Sequence, residues 1–240
     1  AACVSGPSPK VIDLVASKLA LLDGEKLKVF DLHLKECILE AVGCFEICSF
    51  SSDGVYVITG GDCASPPAVW NLTSKESLLL TDHLTDGYFT SCIFSPDASM
   101  MVTASREPNW EEVYLWSSEG TMMQRLPTWA IYNMAFVAER MLVGIAEDAR
   151  VIHVLSVPAG DVLSSFTLDV ANGAWPKLRS VRFLPRAWQS DPSSFLVIFG
   201  CTEGTVYISE CLEAKSSAGE EPATILKSFS GFAPGIAALS

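Results

Sequence analysis

The phrase FSSDG at Phe50 returns as FSPDA at Phe94, as FVAER at Phe136 and as FLPRA at Phe183, at intervals of 44, 42 and 47 residues. A second phrase keeps pace about 20 residues behind the first: AVWNL ending at Leu72, VYLWS ending at Ser117, VIHVLS ending at Ser156 and TVYIS ending at Ser209. An earlier copy, KVFDL at Lys28 to Leu32, has no leading phrase before it. Two phrases held in step over four copies mean a repeat architecture, in which each period is one supersecondary unit.

Within a period the pattern is that of strands. CFEICSF alternates and stops at a Ser-Ser-Asp-Gly turn, VYVITGG is a second β-branched run, PAVWNLT a third and ESLLLTD a fourth. The same order recurs in the periods that follow, and helix signals are weak throughout. The expected fold is all-β, a β-propeller of four-stranded antiparallel blades. One small sheet cannot bury both faces alone, and stacking blades about an axis does so while leaving only short outer edges.

The reading gives an N-terminal extension over 1–13 and a propeller over 14–240. Blades fall at about 14–43, 44–85, 86–128, 129–172 and 173–231, with the start of another at 232–240. The first blade lacks its first strand on this count, and Gly231 to Ser240 supplies one strand more, so four complete and two partial blades represent about five. The 20 strands fit a closed five-bladed ring or a segment of a larger propeller. The absent initiator Met and an end in mid-strand favour the segment.

Composition narrows function. Hydrophobic residues are 49% and charged residues 18% of 240, ample for a core. A formal charge of −12, with Lys and Arg few and scattered, argues against nucleic acid; it is the charge of a soluble surface, with a basic partner as the alternative. Apolar runs such as FLVIFGC reach about seven residues, against the roughly 20 needed to span a bilayer, so no membrane insertion is expected. The eight cysteines form no CxxC pair and sit mostly in apolar runs, as reduced cytoplasmic thiols do. The Asn71-Leu72-Thr73 sequon points the other way.

Phe94-Ser95-Pro96-Asp97 and Val69-Trp70-Asn71 resemble the WD-repeat family, which places FSPDG-like phrases at the first turn of a blade and Trp-Asp at the end of its third strand. Phe30-Asp31 and Trp116-Ser117 are looser versions. The resemblance implies a propeller of seven or eight blades and a Trp, Ser/Thr, His and Asp hydrogen-bond network within each blade. No Gly-His pair occurs, which leaves His83 as the candidate histidine. The acidic member corresponds to Asp23, Asp62, Asp148 and Glu203.

No catalytic, cofactor or metal site emerges. Asp53 and Asp97 fit turn geometry, the histidines are dispersed, and no nucleophile elbow or phosphate loop is present. The rival reading is a propeller hydrolase with a central-channel site, but FEICSF, TSCIFS, YNMAFV and RSVRFL offer no repeated carboxylate or His ring. A purely structural assembly module is the other rival.

The expected function is a non-catalytic scaffold for proteins or peptides, set among other domains of a longer chain. The resemblance implies docking on the face where fourth-to-first and second-to-third strand loops gather. There the candidates are Tyr88, Arg106, Trp110, Trp129 and Trp175, the residue types of interaction hot spots. Phe89 and Tyr132 have the spacing of plugs between blades. SREPNWEE, Ser105 to Glu112, reads as a lengthened loop, and EAKSSAGEEPA as an outer one.

Overall fold

The computed structural model describes residues 10–22, 26–43, 45–61, 66–81, 88–106, 111–126, 131–138, 141–146, 151–168, 178–183, 194–201, 205–212 and 221–229. They form 20 strands. The first sheet runs β1 (Lys10–Val15), β2 (Lys18–Leu22), β3 (Lys26–Asp31) and β4 (Glu36–Val42). The second is β5 (Phe45–Phe50), β6 (Tyr56–Gly61), β7 (Ala68–Asn71) and β8 (Ser77–Leu79). The third is β9 (Tyr88–Phe94), β10 (Met100–Arg106), β11 (Glu111–Ser117) and β12 (Met122–Leu126). The fourth holds β13 (Ile131–Ala138), β14 (Met141–Ala146), β15 (Val151–Ser156) and β16 (Val162–Leu168). The fifth holds β17 (Leu178–Phe183), β18 (Ser194–Cys201), β19 (Val206–Leu212) and β20 (Glu221–Phe229). The first three are separate four-stranded sheets, each antiparallel and in chain order, while the parallel pairing of β16 with β20 joins the last two arrays into one eight-stranded sheet, β13-β14-β15-β16-β20-β19-β18-β17.

Two expectations change. The first sheet has its own first strand: β1 pairs with β2 from Lys10↔Leu22 to Val15↔Lys18, so residues 10–13 belong to the blade and not to an extension. The described residues therefore make five four-stranded antiparallel arrays, the last two joined through β16 and β20, in place of four complete and two partial ones. Residues 232–240, expected to open another blade, lie outside the described residues.

The chain divides into two compact units, residues 1–125 (with residue 240) and 126–239. In the first unit the core is built between sheets. Ala20, Leu22, Leu27, Val29, Leu39 and Ala41 of the first sheet meet Phe45, Cys48, Phe50 and Val57 of the second. The other face of the second sheet sends Ile58, Val69 and Leu80 against Cys92, Phe94, Met101, Tyr114 and Trp116 of the third. A strand covered on both faces has no polar side to show, which is why VITGG from Val57 to Gly61 is buried without alternation. Phe89 is buried beside Gly60, the plug between neighbouring sheets that its spacing predicts. In the second unit, β17 lies against β13 and β14.

The repeated phrases are turn chemistry. The Ser51 hydroxyl donates to Asp53 Oδ1 (2.6 Å) and accepts from the Tyr56 N–H (2.9 Å), while Asp53 Oδ1 accepts from the Val55 N–H (2.8 Å). Ser95 repeats this with Asp97 (2.6 Å) and the Met100 N–H (2.9 Å), and Asp97 accepts from the Ser99 N–H (3.0 Å). A residue with positive φ closes each turn, Gly54 at 68° and Ala98 at 56°. A left-handed non-Gly residue costs roughly 1–2 kcal/mol, part of which glycine returns as unfolded-state entropy. Ala98→Gly should therefore gain about 0.5 kcal/mol and Gly54→Ala lose about 1 kcal/mol in urea unfolding.

The second phrase ends in a cap. Asp31 Oδ1 accepts from the His33 and Leu34 N–H groups, and Asn71 Oδ1 from those of Thr73 and Ser74. The Ser117 and Ser156 hydroxyls accept from N–H groups further along the turn, those of Thr121 and Asp161. Asp, Asn and Ser thus each present an oxygen acceptor to the turn, the carboxyl and amide to its first N–H groups and the hydroxyl to its last.

Candidate functional site

The residues singled out for docking fall into two groups. Trp110, Trp129 and Trp175 lie outside the described residues, as do Asp23, Asp62, His83, Asp148 and Glu203. Tyr88 and Arg106 are described in backbone, and both are strand residues, not loop residues. Tyr88 opens β9 and Arg106 closes β10. The pairing register sets them directly opposite, and Arg106 also faces Glu111, the first residue of β11. Tyr88, Arg106 and Glu111 therefore form one rung across three strands, at the end of the sheet where the connections into β9 and from β10 to β11 emerge. Neighbouring positions on such a rung stand about 5 Å apart. Of the stretch read as a long loop, Ser105 to Glu112, Ser105 and Arg106 belong to β10 and Glu111 and Glu112 to β11, while residues 107–110 lie outside the described residues.

The blade network that the resemblance implies is present in part. Trp70 Nε1 donates to Thr59 Oγ1 at 3.0 Å, and Trp116 Nε1 donates to Thr103 Oγ1 at 2.9 Å. In both sheets the Trp is on the third strand and the Thr on the second, on the face turned to the preceding sheet. The threonines were not singled out by sequence, although VIT and VTA place them at matching positions of the two second strands. His153 lies within β15, away from its end, and its Nδ1 is 2.8 Å from Ser165 Oγ.

Electrostatics at the turns is structural in origin. The Ser95 hydroxyl, with the Ser99 N–H and hydroxyl behind it, holds the Asp97 carboxyl below its ordinary range, against a weak opposing effect of burial. At Asp53 burial pushes upward, and the Ser51 hydroxyl and Val55 N–H outweigh it, so the net shift is again downward. A carboxyl whose folded pKa lies below its unfolded value stabilises the fold above the unfolded pKa. That contribution is lost as pH falls through the folded pKa. Asp97→Asn should thus lower the urea midpoint at pH 7, and the gap to wild type should narrow as the pH is taken below about 4. Among the described residues no group of three His, Cys, Asp or Glu side chains is placed to hold a metal. No helix among them is long and apolar enough to cross a membrane.

Solved structures share this arrangement of sheets. The β-propeller domain of Myceliophteria thermophila Cps50 (Swd1) superposes with a TM-score of 0.68 at 10% identity, over 93% of this chain and 71% of that one. A chain of the mitotic checkpoint complex gives 0.65 at 12% identity, over 92% of this chain and 67% of that one. The fold is a β-propeller. No protein-family model matches the chain, and no curated protein matches it by sequence. At such identities the propeller is shared and residue roles are not carried across.

Proposed function

We propose that this propeller is a non-catalytic docking module of the WD-repeat kind, which binds proteins or peptides at the end of its blades marked by the Tyr88, Arg106 and Glu111 rung. The observation that carries the reading is that register: an aromatic and an arginine, the residue types of binding hot spots, occupy facing positions at the connection-bearing end of the third blade. Trp110, Trp129 and Trp175 belong by sequence to connections at the same end of their blades. The acidic candidates for chemistry are occupied elsewhere, since Asp53 and Asp97 accept the hydrogen bonds that close their turns. One structural neighbour comes from a multi-protein assembly, the mitotic checkpoint complex. The buried thiols of Cys48 and Cys92 suit a reducing, cytoplasmic setting, and the charge of −12 suits partners with basic segments.

A photo-crosslinking amino acid placed at Tyr88 tests this in cells, with the same group at Leu79 on the outer strand β8 as control. Protein adducts at position 88 and none at position 79 are the expected result. Adducts confined to position 79 would replace this reading with edge-to-edge assembly.

A further inference from the structure

The interface between the second and third blades holds a polar group that turn and blade architecture do not require. On the face of the third blade turned to the second, Ser105 on β10 stands opposite Glu112 on β11, next on that face after the Thr103 and Tyr114 pair. Phe89, the inter-blade plug, is the other register partner of Ser105. Glu112 is 8% exposed and Ser105 1%. The Tyr114 hydroxyl donates to Glu112 Oε2, and Arg125 on β12 meets Oε1 through Nη2. The cation is held outside: the Arg125 side chain is 61% exposed, against 10% for that of Glu112. The Ser105 hydroxyl has no hydrogen-bond partner among the described residues. Buried polar groups are almost always bonded, so an unbonded hydroxyl beside a buried carboxylate is an acceptor left for a donor to satisfy.

We propose that this slot takes the guanidinium group of an arginine from a basic peptide, which displaces Arg125 from Glu112 and also donates to Ser105. A guanidinium carries five N–H donors in a rigid plane, enough to bridge a carboxylate and a hydroxyl on adjacent strands. Arg125 comes from the outermost strand of its own blade, and its long, exposed side chain loses rotamer freedom in staying there. An incoming arginine held by the rest of its peptide loses less. Acidic residues outnumber basic ones by 28 to 16, so a cationic peptide is drawn to this surface and an anionic one repelled.

The inference rests on the docking reading for the nature of the partner, but on different residues, so the two can fail separately. The probe is acetyl-Gly-Arg-Gly-amide, titrated by calorimetry at low salt into wild type, Arg125→Ala and Arg125→Lys, each checked by melting curve. The expected result is about tenfold tighter binding to Arg125→Ala, as a charge-assisted pair is freed, a smaller gain for Arg125→Lys, and weaker binding when Ser105→Ala is added to Arg125→Ala. The same peptide with citrulline, which has the shape without the charge, should not bind. No gain on removing Arg125, or equal binding of the citrulline peptide, overturns the slot. Cross-links at position 88 with no arginine binding would leave docking standing without it, and arginine binding with no such cross-links would leave the slot without that face.

Discussion

Trp116→Ala should cost about 3–5 kcal/mol, the range for emptying a buried aromatic site. The ring is 1% exposed and sits where the third blade meets the second, against Ile58, Val69 and Leu80 across the interface. Its Nε1 also carries the hydrogen bond to Thr103. Since a domain holds roughly 5–15 kcal/mol in all, the variant should be marginal. Trp116→Phe keeps most of the volume and strands the buried Thr103 hydroxyl, at roughly 1–3 kcal/mol. Trp70→Ala should cost less than Trp116→Ala, because Trp70 is only half-buried where the second blade meets the first. Urea unfolding followed by circular dichroism ranks the three. An equal loss at both tryptophans would mean that the blades do not bury these positions differently.

Gly60→Val is the second large effect. A Cβ at Gly60 would stand 2.9 Å from Phe89 Cβ and 3.2 Å from the Ile47 side chain. Phe89 Cβ is fixed to its strand, so the contact is relieved only by moving one blade from the other, an overpacking cost of about 1–3 kcal/mol. Gly60→Ala should show the start of it. The loss should persist in the Phe89→Ala background, which keeps the opposing Cβ, and shrink in Phe89→Gly, which removes it, and a double-mutant cycle with Phe89→Gly reads that coupling directly. Additive losses would place the strain elsewhere.

Local chemistry was legible in the sequence. FSSDG and FSPDA announce their turns because Ser, Asp and the backbone between them bond to one another within five residues. Strand β1 was hidden for two physical reasons. A bulge between Val11 and Asp13 breaks its alternation, and its turn into β2 uses Ala16 and Ser17 at φ of 46° and 62°, where glycine or asparagine would have been the signal. Tyr88, Arg106 and Glu111 were read as loop because polar strand ends carry no periodicity, and only register across three strands makes them a rung. The Trp–Thr bonds span 11 and 13 residues and depend on strand pairing in the same way. The Glu112 slot lies further still from the sequence, since it combines adjacent strands with burial by a neighbouring blade.

The docking end is tested most directly by the affinity of a partner recovered through cross-linking at position 88. Its dissociation constant should be compared for wild type, Tyr88→Ala, Arg106→Ala and, on the outer strand of the same blade, Met123→Ala, whose side chain is half exposed. The expected result is a loss of about tenfold or more at Tyr88 or Arg106, the scale of a hot-spot residue, with Met123→Ala unchanged. A loss at Met123 with none at Tyr88 and Arg106 would contradict it and move the partner to the rim of the propeller.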